Sequence, residues 1–188
     1  MLNRLSYLAG AIAHAAYGGI GIAFMFRLPP LPCTLGFSLA SSLLMAHIAS
    51  RGEHPTLNSD PDTLIGILWA GGMAFGILLI ELSPGYAGEL TGFLFGSILA
   101  VPPANLMLMA GLDLLLILLL FFFRQGLIAL SLDPDFAMAR GLPVRAYFFL
   151  LIGMTALAVV MLLQVVGLVL VIALLTIPPC MARSLTRS

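Results

Sequence analysis

Long apolar segments follow one another along this chain with little between them. Residues 105–123, for example, contain a single charged side chain, that of Asp113. A helix needs about 20 apolar residues to cross the hydrocarbon core of a bilayer. The pattern predicts an all-α polytopic membrane protein with about six transmembrane helices in a single domain. The predicted spans are residues 5–26, 33–49, 62–82, 104–123, 144–163 and 167–182.

Composition excludes several other classes of protein. Of the 188 residues, 61% are hydrophobic and 9% are charged, whereas a soluble domain has about 45–50% and about 25%. The chain has no lysine, so it lacks both the lysine of a P-loop ATPase and a Schiff-base lysine. No basic tract indicates binding to nucleic acid. We therefore expect a chain that is surrounded by membrane lipid, is not itself an enzyme and has no nucleic acid partner.

The arginines predict the orientation of the chain. If the spans alternate across the membrane, one face receives seven arginines and the other receives only Arg27. Because cationic loops stay on the cytoplasmic side, both termini are predicted to be cytoplasmic, in a multi-pass protein of the cell (inner) membrane. The last apolar stretch must then break near residues 164–167. The seven cytoplasmic arginines are Arg4, Arg51, Arg124, Arg140, Arg145, Arg183 and Arg187.

A polar segment at residues 124–143, predicted to be a cytoplasmic loop, carries clear local helix signals. Asp133 suits a helix N-cap, Pro134 suits the first turn, and Gly141 suits a left-handed stop. They predict a helix of about two turns at residues 133–141. Its apolar side chains suit either docking into a groove of a partner protein or lying on lipid headgroups. The residues that shape or present this helix are Asp133, Asp135, Phe136, Met138, Arg140 and Gly141.

Small residues recur at helical spacing before the fourth span. Gly88, Gly92 and Gly96 lie four residues apart, a spacing that lets two membrane helices approach closely. Close helix packing is one interpretation of this stripe. The other is that a glycine-rich helix lines a gate.

Five segments, in order along the chain, resemble signatures of the permease subunits of ABC importers for zinc, manganese or iron. The most specific is residues 133–144, Asp-Pro-Asp-Phe-Ala-Met-Ala-Arg-Gly-Leu-Pro-Val, which is similar to the coupling-helix segment of that family. Gly167 and Pro178 fall within the last match and are interpreted as further packing or gating positions. The other four matches lie within residues 4–15, 62–76, 93–99 and 166–183.

The resemblance implies a homodimeric subunit, with ABC ATPase subunits docked beneath it and an extracytoplasmic metal-binding protein that delivers the cation. It implies no permanently bound cofactor, because the divalent metal ion is the cargo. Members of the family usually have one more span before this region and about two after it, so we expect part of a longer permease. Two residues depart from the family: Gly10 and Ser97 stand where many members have acids.

Two ionisable residues are predicted to lie near the middle of the membrane. His14 is nine residues from the start of its span, and Asp113 is ten from the end of its span. At about 1.5 Å per residue, each lies roughly 14–15 Å from the cytoplasmic face. Because an ionisable group within a span indicates function, we expect His14 and Asp113 to share a metal site, with Asp113 replacing the acid missing at Gly10. Alternatively, His14 bonds a backbone carbonyl, and Asp113 bonds a serine or backbone group elsewhere.

The sequence therefore favours the permease of an importer for a divalent transition-metal cation, coupled to a separate ATPase. Two alternatives stay open. A permease for a metal chelate, such as haem or a corrinoid, would have a wide pathway with few ligands. A non-transporting fragment or membrane assembly subunit would not associate with an ATPase.

Overall fold

The computed structural model describes residues 2–49, 61–83, 92, 94–96 and 101–186. Helices account for nearly all of these residues, so the all-α class is confirmed for the described part of the chain. Four of the helices begin at a proline, whose missing N–H is not needed in the first turn. The helices are α1 (Leu2–Phe26), α2 (Pro30–Ala49), α3 (Pro61–Glu81), α4 (Pro103–Leu132), α5 (Pro134–Ala139) and α6 (Val144–Thr186).

Within the described ranges, four of these helices are long and apolar enough to cross a membrane. They are α1, α2, α4 and α6, and α3 adds a shorter apolar stretch, Ile65–Glu81. The prediction of a polytopic membrane protein agrees with this arrangement. The apolar segments of the four long helices are Leu8–Phe26, Pro30–Ile48, Asn105–Leu132 and Val144–Pro178.

Helix α4 is longer than the sequence predicts. The predicted span ends at residue 123 and is followed by a loop, but the helix continues to Leu132. Beyond Arg124, Gly126 and Leu127 are buried, and Gly126 lies against the ring of Tyr147 on α6. The predicted loop is therefore wrong up to Leu132, because packing on α6 extends the helix past the arginine.

Helix α6 consists of two helical segments that meet at a kink, where two spans, 144–163 and 167–182, are predicted. Its backbone is helical from Val144 to Thr186 except at Gly167, where φ is 77° and ψ is 167°. The predicted break near residues 164–167 is thus present, but it is a one-residue interruption of the helix. Too few residues separate the two predicted spans to form a longer loop.

Helix α1 is the centre of the bundle. It packs against α2, α3 and α6, and 78% of its apolar span is buried, compared with 11% of that of α4. Small residues allow this close packing. A Cβ added at Gly72 of α3 would lie 2.5 Å from the Cα of Ala15 on α1, and Gly76 lies against the backbone of Tyr17. The middle of α1, where His14 lies, is therefore held tightly by its neighbours.

The contacts of α1 also define helix directions. Residues further along α1 meet residues further along α3, from Ala15 at Gly72 to Gly21 at Leu79, so these two helices are parallel. On α2 the order is reversed, since Gly19 of α1 lies against Thr34 and the preceding Gly18 against Phe37. The first three helices therefore alternate in direction, as the positive-inside argument requires.

Candidate cation site and coupling helix

His14 lies in the middle of α1 and stacks on an aromatic ring of α3. Its imidazole is half-buried and faces the indole of Trp69, with ring centroids 4.6 Å apart and ring planes inclined by 15°. The nitrogen Nδ1 is buried and has no hydrogen-bond partner within the described part of the chain. Nδ1 therefore does not form the hydrogen bond to a backbone carbonyl that the alternative interpretation predicts.

Asp113 lies on α4, away from the contacts of His14. The residue is exposed, and α4 joins the bundle through α6 and α5 rather than through α1. His14 faces α3 instead. Within the described residues, no contact between His14 and Asp113 is seen, and the metal site that they are predicted to share stays a prediction. Depth along a helix places two residues at one level but does not decide which faces meet.

The surroundings of His14 are sparse in further ligands. No group of three or more His, Cys, Asp or Glu side chains clusters within the ranges that the structure describes. Ser97 lies outside those ranges. At Gly10, one turn before His14, an added Cβ would meet no atom within 4 Å. A larger side chain therefore fits at residue 10, where it would share a helix face with His14.

A groove runs along the exposed face of α3 beside Trp69. Its volume is about 480 Å³. Large side chains form one row at four-residue spacing along α3, and small side chains form the neighbouring row. Two such rows make a ridge and a groove on a helix surface. Sequence reasoning missed this feature, although the spacing carries the signal. The lining residues are Gly66, Trp69, Ala70, Met73, Ala74 and Ile77.

The short helix α5 begins as the sequence predicts. Asp133 is its N-cap: Oδ1 accepts hydrogen bonds from the backbone N–H of Asp135 (3.0 Å) and of Phe136 (3.1 Å). Pro134 occupies the first turn. The cap satisfies two of the backbone donors that a helix start leaves unpaired, so a helix of only six residues is well defined at this end.

The other end of α5 is closed by Arg140 and Gly141. The N–H of Gly141 donates to the carbonyl of Met138 (2.9 Å), and the N–H of Leu142 donates to that of Ala137 (3.1 Å). Gly141 has a φ of 76°, the left-handed conformation that glycine adopts cheaply. The guanidinium carbon of Arg140 lies 4.9 Å from the centroid of the Phe136 ring, within the range of a cation–π contact.

Helix α5 has one buried and one exposed side. Ala137 is buried against the bundle, whereas the side chains of Phe136 and Met138 are 54% and 43% exposed. Two large apolar side chains are thus presented on a rigid, capped turn between α4 and α6. Such a surface can dock into a groove of another protein.

The predicted glycine stripe is only partly observed. Gly96 lies against the backbone of Gly167 at the kink of α6, whereas a Cβ at Gly92 would meet no atom within 4 Å. Gly88 lies outside the described residues. Pro178, the last predicted packing or gating position, is helical and exposed on α6. Close packing is therefore observed at Gly96 and Gly167, and not at Gly92.

Comparison with known proteins decides the family. The family described as the ABC 3 transport family matches residues 1–188, which is the whole chain. The chain belongs to the ABC 3 transport family. The resemblance seen in the five sequence signatures is thereby confirmed, and this ABC 3 protein is a multi-pass protein of the cell membrane.

The relatives of this ABC 3 family member are longer than the chain. It is 46% identical over 187 residues to an uncharacterized membrane protein of Synechocystis, of which it covers 65%. It is 31% identical over 186 residues to the manganese transport system membrane protein MntC of Halalkalibacterium halodurans, of which it covers 62%. The solved structure of PsaBC from Streptococcus pneumoniae in complex with Fab superimposes with a TM-score of 0.76 at 30% identity, with 97% of this chain and 64% of that chain covered. The chain thus spans less than two thirds of each of these relatives.

Proposed function

We propose that this chain forms part of the permease of an ABC importer for a divalent transition-metal cation, driven by a separate ATPase subunit. The observation that carries the proposal is α5, a capped helix that exposes Phe136 and Met138 between two membrane helices. Relatives named as a manganese transport system membrane protein and a manganese import system permease protein support manganese as the cargo. Those names favour a free cation over a metal chelate.

Helix α5 can transmit force to the membrane helices on either side of it. Asp133 alone separates it from α4, and a short turn separates it from α6. An ATPase that binds Phe136 and Met138 would therefore move α4 and α6 together. In the proposed cycle, this motion switches the pathway between outward-open and inward-open states. A second copy of the permease and an extracytoplasmic metal-binding protein complete the proposed importer.

His14 is the proposed ligand for the cation within the membrane. Neutral imidazole binds transition metals, and the ring lies half-buried near the middle of α1. Asp113 is the second proposed ligand. Asp113 is exposed on α4 and His14 faces α3, so the proposed site takes one nitrogen and one oxygen ligand from two different helices. A double-mutant cycle with His14→Ala and Asp113→Asn tests this: additive losses of binding would show that the two act separately.

Copurification tests the proposed coupling role. An affinity-tagged chain is co-expressed with an ABC ATPase subunit from the same genome, and the ATPase retained on the resin is measured. Replacing Phe136 and Met138 together by alanine is expected to release the ATPase while the chain stays in the membrane. The matched control is Phe26→Ala, since Phe26 is 63% exposed and ends the helix α1 on the side that the arginines predict to be extracytoplasmic. Equal retention by all variants would contradict docking through α5.

A further inference from the structure

We propose that the indole of Trp69 is a positioning residue for His14, holding the imidazole in one orientation for the transported cation. This inference rests on the proposed function, because it concerns the same cation. Trp69 lies on α3, and nothing in the sequence pattern connects it with α1. The contact is created by the close packing of α3 on α1 at Gly72 and Gly76.

The stack is the contact that fixes the rotation of the His14 ring. Metal-binding histidines are usually oriented by a hydrogen bond from the second ring nitrogen to a carboxylate, a carbonyl or water. In the described part of the chain, Nδ1 of His14 has no such partner. The indole instead lies nearly parallel to the imidazole, with centroids 4.6 Å apart and an angle of 15°, a favourable geometry for stacked aromatic rings.

Trp69 also connects His14 with the groove on α3. The indole is 48% exposed and belongs to the lining of the groove of about 480 Å³. One side of the tryptophan therefore contacts His14, while the remainder borders an open, apolar space.

The side chains of His14 and Trp69 together favour one class of cation. Imidazole nitrogen binds first-row transition-metal ions, zinc and iron more strongly than manganese, whereas magnesium and calcium take oxygen ligands. An aromatic wall offers no oxygen. The positioned imidazole would therefore select a transition-metal ion over magnesium.

Trp69 is the only tryptophan of the chain, so its fluorescence reports directly on this stack. The purified full chain in detergent is titrated with Mn²⁺, with Zn²⁺ and, as a control, with Mg²⁺. We expect a saturable change in indole emission with Mn²⁺ and Zn²⁺ and none with Mg²⁺. The change should be absent in His14→Ala, because the indole then no longer faces a metal-binding ring.

Direct binding of Mn²⁺ to substituted chains tests the positioning role. Trp69→Ala is expected to raise the Kd for Mn²⁺ by about three- to tenfold, which corresponds to the free energy of one aromatic stack. Trp69→Phe should raise it by no more than about twofold. The matched control is Phe75→Ala. Phe75 is an equally exposed aromatic of α3 that stacks on Phe37, with centroids 5.9 Å apart. Its removal costs one stack but leaves His14 untouched, so the Kd should not change.

The outcomes separate the two proposals. If His14→Ala binds Mn²⁺ as tightly as the unmodified chain, the proposed cation site is wrong and the role of Trp69 falls with it. If His14→Ala loses binding but a folded Trp69→Ala keeps the original Kd, only the positioning role is wrong. If Trp69→Ala does not fold, the fluorescence titration of the unmodified chain provides the test. Binding of Mn²⁺ without a change in the emission of Trp69 would then overturn the inference.

Discussion

Gly96 and Gly167 lie backbone against backbone, and both are in the left-handed region, with φ values of 68° and 77°. A Cβ at Gly96 would overlap the backbone of Val166 and Gly167, and a Cβ at Gly167 would overlap that of Phe95 and Gly96. Helix α6 kinks at this contact. Glycine is therefore required at each position for two reasons. It adopts the positive φ, and its missing side chain leaves room for the backbone of the other glycine. The contact ties the kink to the segment that precedes α4.

Alanine at either glycine is expected to destabilise the bundle. A backbone conformation with positive φ alone costs a residue with a Cβ about 1–3 kcal/mol, and the overlap adds to it. The measurement is thermal unfolding of the chain in detergent for Gly167→Ala, Gly96→Ala and the double variant. The double variant should lose less than the sum of the single losses, because the first change already separates the backbones.

The control for this prediction is Gly111→Ala on α4. Gly111 is helical and exposed, and an added Cβ would meet no atom within 4 Å. Alanine is expected to raise stability there by up to about 1 kcal/mol, since it favours the helix. Equal stability of Gly167→Ala and the unmodified chain would show that the kink does not depend on the glycine.

At the end of α5, Gly141→Val is expected to weaken ATPase binding by about tenfold. An added Cβ at Gly141 has open space, so the φ of 76° is the single source of strain. A β-branched residue tolerates that φ poorly, whereas asparagine adopts it more readily. Gly141→Asn should therefore retain the ATPase in the copurification assay. Loss of the ATPase from both variants, or from neither, would contradict a role for the left-handed stop.

A carboxylate introduced at Gly10 is expected to tighten metal binding. The new side chain would lie one turn from His14 on the same helix face, in space that the structure leaves open. We expect Gly10→Asp to lower the Kd for Mn²⁺ by about tenfold, since a hard carboxylate ligand suits manganese. The gain should vanish when His14→Ala is added.

The control for this gain is Gly36→Asp on α2. Gly36 also has no atom within 4 Å of an added Cβ, so the variant carries the same charge into a membrane helix away from His14. An identical change of Kd in both variants would mean that the added charge acts non-specifically.

The orientation of the bundle can be measured by cysteine labelling. In a chain with Cys33→Ser and Cys180→Ser, we expect Ser131→Cys to react with an impermeant reagent only from the cytoplasmic side. Leu28→Cys, in the turn between α1 and α2, should react only from outside. Both positions are exposed. Labelling of both from one side would overturn the positive-inside assignment and the cytoplasmic location of α5.

The sequence by itself determined the local features of this protein. The cap at Asp133, the stop at Gly141 and the break near Gly167 each depend on the residue itself or on a few neighbours along the chain, so composition and spacing are enough to predict them. The membrane class follows in the same way, because it requires only length and hydropathy.

Only the tertiary structure decided which helix faces meet. It placed Trp69 on His14 and Gly96 on Gly167, left Asp113 exposed on α4, and extended α4 beyond Arg124 through its packing on α6. In a soluble helix, the apolar stripe shows which face is buried. In a membrane helix, the faces toward lipid and toward protein are both apolar, and contact is selected by small residues and shape. Hydrophobic periodicity therefore carries no information about these pairs, and they emerge only when the helices pack.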